Sequence, residues 1–103
     1  MLTKNDLLLI SSKCFVILKQ TNYYVEVLSK CTDHCWIVCK HGSPDKYPVW
    51  IYHKHHQTDQ CYHLHRKKRS VEAAIKEIEA HDKYQAAGRK NVFNNLSIAI
   101  MLY

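Results

Sequence analysis

The chain has 103 residues, with 15 Lys and Arg against nine Asp and Glu, and a formal charge of +6 when its eight histidines are neutral. That length supports one domain over residues 1–103, and 47% hydrophobic residues with only two Gly and two Pro exclude a disordered or low-complexity chain. The positive balance favours acidic partners, nucleic acid first and an anionic surface next.

At the N-terminus, Asn5 or Asp6 can cap a short helix over about 6–12, although Leu7-Leu8-Leu9-Ile10 can equally begin a strand. Residues 14–19 are branched and aromatic, Gln20-Thr21-Asn22 reads as a turn, and 23–29 alternates as a strand does. Residues 34–40 are apolar on both faces, which suits a central strand between the turn signals Thr32-Asp33 and Gly42-Ser43-Pro44-Asp45. Pro48 opens a strand over 49–55, Gln57-Thr58-Asp59-Gln60 makes a hairpin loop, and 61–66 returns.

Ser70 is a good N-cap for an amphipathic helix running to about Tyr84, with Val71, Ala74, Ile75 and Ile78 as its apolar stripe. Asp82 falls on that stripe and should be partly buried against a polar partner, with Tyr52, Tyr62, a histidine or Arg89 as candidates. The segment Ala86-Ala87-Gly88-Arg89 should end the helix, Gly88 acting as its cap. An apolar tail over 91–103 follows a core over about 5–88. The fold class expected is α+β: an antiparallel sheet of three to five strands, one helix packed on one face, a short N-terminal helix or strand, and the tail. A sheet edge or the tail offers a route to a homo-oligomer.

Five cysteines, Cys14, Cys31, Cys35, Cys39 and Cys61, form an odd set without a secretory signal, which points to reduced thiols and a cytoplasmic protein. No run approaches the ~20 apolar residues of a membrane span, so no membrane partner is expected. Cys31 and His34 have a workable metal spacing, but Cys35 and Cys39 in one strand lie ~13 Å apart and read as small hydrophobes beside Ile37.

Five of the eight histidines fall between His53 and His65. Strand alternation places His53 with His55 and His63 with His65, leaving Trp50, Tyr52, Tyr62 and Leu64 on the opposite faces. If the hairpin pairs odd with odd, the aromatic side packs under the helix and four imidazoles crowd the open side; a slip of one residue dissolves that group. His53, His55, His63 and His65 are therefore the candidate ligands for zinc or another divalent metal, the chain otherwise showing no cofactor signature. Two of them could also divide acid and base roles in phosphodiester cleavage beside Lys54 or Arg66, but no catalytic motif supports naming catalytic residues.

The run Arg66-Lys67-Lys68-Arg69 leads into the long helix, where amides and the helix dipole favour anions. With Lys54 nearby and aromatic residues interleaved, these five cations are the candidate nucleic-acid contacts. Over roughly residues 5–85 the order of elements resembles that of small double-stranded-RNA-binding-like and sheet-reading DNA-binding modules, with no diagnostic motif. The leading expectation is a small basic nucleic-acid-binding or nucleic-acid-associated module without catalysis. The alternatives are a histidine-rich metal-binding protein or metal-assisted phosphodiesterase, and a protein interaction module.

Overall fold

The computed structural model describes residues 1–41 and 46–94, with side chains through residue 87. In chain order the elements are α1 (Lys4–Ser11), β1 (Phe15–Gln20), β2 (Tyr24–Ser29), β3 (Cys35–Lys40), β4 (Val49–Lys54), β5 (His63–Lys68) and α2 (Val71–Asn94). The strands form one antiparallel sheet in the order β1-β2-β3-β4-β5, so every strand pairs with its neighbour in sequence. With α2 packed across one face, this is an α+β fold.

The double-sided apolar segment is indeed the central strand, β3. Thr3 rather than Asn5 or Asp6 caps α1: its hydroxyl accepts from the Asp6 amide while the Asp6 carboxylate accepts from the Thr3 amide, a capping box. Lys40 on β3 pairs with the same carboxylate at 2.9 Å and fastens α1 to the sheet. Ser70 caps α2 as expected, its Oγ accepting from the Ala73 amide at 3.1 Å.

Two of the shifted boundaries bear on the candidate site. Lys67 and Lys68 lie inside β5 instead of after it, because the strand starts and ends two residues later than expected. Helix α2 continues through Gly88 to Asn94. A single glycine weakens a helix by about 1 kcal/mol relative to alanine, which does not end it when no proline follows. Residues 95–103 of the apolar tail and the turn at 42–45 lie outside the described residues.

The face chosen by α2 also differs. Val25, Val27, Trp36, Val38, Val49 and Ile51 form the buried sheet face beneath Val71, Ala74, Ile75 and Ile78. Each valine or isoleucine among them contributes about 1.5–3 kcal/mol on burial. Trp50 and Tyr52, expected under the helix, lie on the opposite, uncovered face, half-buried. The β4–β5 hairpin taken alone favours its aromatic side. The sheet as a whole is decided by the valines of β2, β3 and β4, whose parity in register puts His53 inside with them. Among the described residues no helix is long and apolar enough to cross a membrane.

Candidate metal centre

The β4–β5 register sets His53 opposite His63 and Tyr52 opposite Leu64, then shifts so that Ile51 faces Arg66. His65 is the extra residue of this bulge. The four histidines predicted as a group remain neighbours, with the ring centres of His55, His63 and His65 at 5.0, 5.8 and 5.8 Å from that of His53, but their surroundings differ. His53 is buried beneath α2, His55 and His63 are exposed, and His65 turns to the Glu77 carboxylate of α2 at 3.2 Å. His53 also meets His34 and His81, and among the described residues these three form the group whose ring nitrogens, one from each, lie within 4.8 Å of one another.

Each of the three comes from a different element. The β2–β3 turn is closed by the Ser29 amide donating to the His34 carbonyl at 2.9 Å and the Asp33 amide donating to Ser29 at 2.8 Å. Asp33 takes φ 60°, a left-handed conformation its short polar side chain tolerates. His34 leaves that turn on the same face as Trp36 and Val38, which places it under α2. His53 continues the inward series Val49 and Ile51 on β4. His81 follows Ile78 by three positions on α2, beside Asp82, and so shares the inner face of the helix.

The result is a compact set of imidazoles. His34 Nδ1 and His53 Nε2 are 3.0 Å apart, and one ring nitrogen from each of His34, His53 and His81 lies within 4.8 Å of the others. Trp36 forms the floor, stacked on His53 with ring centres 4.0 Å apart and meeting His65 and His81 edge-on. His55 stacks on His34 at 4.9 Å and covers it from the solvent side. Burial, reinforced by the charges of His81, His34, His55 and His65, pushes the His53 imidazolium down to a pKa of about 3. Burial also lowers His81, with His65 adding to it and the carboxylates of Asp82 and Glu77 opposing. Both rings are therefore neutral at pH 7, the form that ligates metal.

The donor set suits a divalent transition ion. Zinc–imidazole bonds of ~2.0–2.1 Å place tetrahedral donors ~3.3 Å apart, so these three nitrogens are within a small side-chain adjustment of a common centre. His81 Nδ1 is buried without a hydrogen-bond partner among the described residues, an expensive state that a ligand bond at that nitrogen would relieve. Three imidazoles leave a fourth coordination position open, as catalytic rather than structural zinc sites do.

The five predicted phosphate contacts are distributed over both faces. Arg66 and Lys68 point to the helix side, where Glu77 pairs with them at 3.4 and 3.2 Å. Burial alone would raise the Glu77 carboxyl, but His65, Lys68 and Arg66 hold it below its usual range. Lys67 points the other way, 4.0 Å from the Trp50 ring centre. Lys54 donates to the carbonyls of Gln57 and Asp59 and sits 4.7 Å from the Tyr62 ring centre. Arg69 follows the strand and lies 5.7 Å from the Tyr47 ring centre.

The Cys31–His34 spacing is not used for a shared ion: His34 joins the imidazoles, while Cys31 Sγ lies 3.7 Å from Cys14 Sγ. Sequence reasoning weighed His34 only as a partner of Cys31 and missed His81 as a ligand. Their signals were parity and stripe, His34 at even spacing from Trp36 and Val38, His81 at helical spacing from Ala74 and Ile78. No known protein family, characterised protein or solved structure matches the chain.

Proposed function

We propose that this protein binds a divalent transition-metal ion through His34, His53 and His81. The observation that carries the reading is the convergence of three ring nitrogens, from a turn, a strand and a helix, within 4.8 Å of one another. Imidazole donors suit zinc, copper and nickel, and a set without thiolate or carboxylate leaves the ion's charge uncompensated. Such an ion polarises a water or a bound anion in its open position.

The test is isothermal titration of chelator-treated protein with Zn(II), Cu(II) and Ni(II), followed by elemental analysis after gel filtration. One ion per chain should be retained, and His34→Gln or His81→Gln should weaken binding at least about tenfold, since each removes one of three ligand bonds. His63→Ala, on an exposed ring outside the set, serves as control. Binding that is lost in the control but kept in His81→Gln would place the ion elsewhere. No uptake of any of the three ions would end the proposal.

A further inference from the structure

The face of the sheet turned away from α2 and α1 is not covered by any element among the described residues, and its composition is specific. Strand register arranges it in cross-strand rows. One row runs Lys67, Trp50, Cys39, Tyr24, and the next runs Leu64, Tyr52, Ile37, Glu26, Lys19. Tyr62, just before β5, reaches over this face to Glu26, its hydroxyl donating to the carboxylate at 2.6 Å. Trp50, Tyr52, Tyr24 and Tyr62 are all half-buried, and the His41 ring lies beside Trp50 with centres 4.1 Å apart.

Three of these rings carry a lysine. Lys67 Nζ lies 4.0 Å from the Trp50 ring centre, Lys54 Nζ 4.7 Å from Tyr62, and Lys19 Nζ 5.9 Å from Tyr24. Glu26 is the single carboxylate in the five strands, and Tyr62 already occupies it. The alternation within Arg66-Lys67-Lys68 completes the sorting. Its outer members go to Glu77 on the helix side, and Lys67 alone joins the aromatic face.

We infer that this uncovered face binds single-stranded nucleic acid, with bases stacked on Trp50, Tyr52 and Tyr62 and phosphates paired with Lys67, Lys54 and Lys19. Charge complementarity selects a polyanion, and aromatic rings spread over a flat sheet select one whose bases are unpaired. A duplex hides its base faces, and a flat sheet of this width does not enter a groove. The lysines lie over the rings and swing aside to the backbone as a base takes their place. The surface lies on the opposite side of the sheet from His34, His53 and His81, so the two proposals stand or fall separately.

The experiment is fluorescence anisotropy of labelled dT and rU oligonucleotides and of a matched duplex, in EDTA, over a salt series with the full chain. The single strands should bind more tightly than the duplex, quenching Trp50 emission while buried Trp36 is unaffected. Trp50→Ala and Lys67→Ala should each weaken binding at least tenfold, and Lys67→Ala should flatten the log–log salt dependence by about 0.7. Arg66→Ala and Lys68→Ala, on the other face, should leave affinity within about twofold; the circular dichroism of every variant is checked against the parent. Absence of binding at low salt, a preference for duplex, equal competition by polyglutamate, or losses in the Arg66 and Lys68 variants matching that of Lys67 would each overturn the inference.

Discussion

Ser29, the last residue of β2, donates its hydroxyl to the carboxylate of Asp82 on α2, joining positions 53 apart in sequence. Thr32 in the following turn donates to the other carboxylate oxygen at 3.1 Å. Ser29 is fully buried and Asp82 nearly so. This bond ties the β2–β3 turn, which carries His34, to the helix that carries His81. It is therefore both a packing contact and the tether of the imidazole set.

Removing the Asp82 carboxylate leaves the Ser29 hydroxyl buried without its acceptor. Asp82→Ala should destabilise the fold by about 1–3 kcal/mol in urea unfolding, and Asp82→Asn by less because one acceptor oxygen remains. A loss below about 0.5 kcal/mol for the alanine variant would mean that the hydroxyl finds another partner. The partners forecast from sequence were Tyr52, Tyr62, a histidine or Arg89. Ser29 and Thr32 take that role because α2 covers the opposite face from Tyr52.

The imidazole set makes the metal-free fold acid-sensitive. His53 titrates near 6.5 when unfolded and near 3 when folded, so between those values the unfolded chain binds a proton that the native one does not. Stability from this group is fully present above pH ~6.5 and falls with decreasing pH at up to about 1.4 kcal/mol per unit. His81 is shifted in the same direction and adds to the slope. Denaturant midpoints measured in EDTA from pH 7.5 to 4.5 should decline accordingly, and His53→Gln should reduce the decline. A flat profile would contradict the burial of a neutral ring at this position.

How much of this was legible in the sequence depends on how local each feature is. Helix α2, its Ser70 cap and the central place of β3 follow from short-range patterns, the apolar stripe of one and the double-sided burial of the other. The buried face of the sheet is a collective property. A single hairpin with Trp50 and Tyr52 on one side and His53 on the other suggests the wrong side until Val25, Val27 and Val38 are set in register beside it. The bulge at His65 is likewise invisible in alternation, yet it sets Arg66 rather than His65 opposite Ile51. His53 was named in advance, whereas its partners lie 19 and 28 positions away (53 − 34 and 81 − 53) and meet it only through tertiary packing.

The five thiols should differ widely in reactivity. Cys14, Cys31 and Cys61 are exposed, Cys39 is half-buried, and Cys35 is fully buried with Tyr62 beside it. Burial pushes the Cys35 thiol up, further reducing its thiolate fraction. Timed alkylation of native protein followed by mass spectrometry should modify the three exposed cysteines first and Cys35 last, with all five labelled after unfolding. Early modification of Cys35 would show that the uncovered face opens readily in solution.

Metal binding should be visible as stability. An ion that binds only the folded chain adds about 2.7 kcal/mol at a hundredfold excess over its dissociation constant, because the three ligands are brought together only by folding. For a domain near this size, each kcal/mol raises Tm by about 4–8 °C, so a shift of more than 10 °C is expected. EDTA should reverse it completely. His81→Gln should abolish most of the shift while leaving the metal-free Tm close to that of the parent, because His81 is only partly buried and its Nδ1 has no hydrogen bond to lose among the described residues. His53→Gln makes a less clean comparison, since His53 is buried, stacks on Trp36 and shares a hydrogen bond with His34. A metal-induced shift that survives in both His34→Gln and His81→Gln would have to come from other donors. The exposed rings of His55, His56 and His63 would be the next to replace.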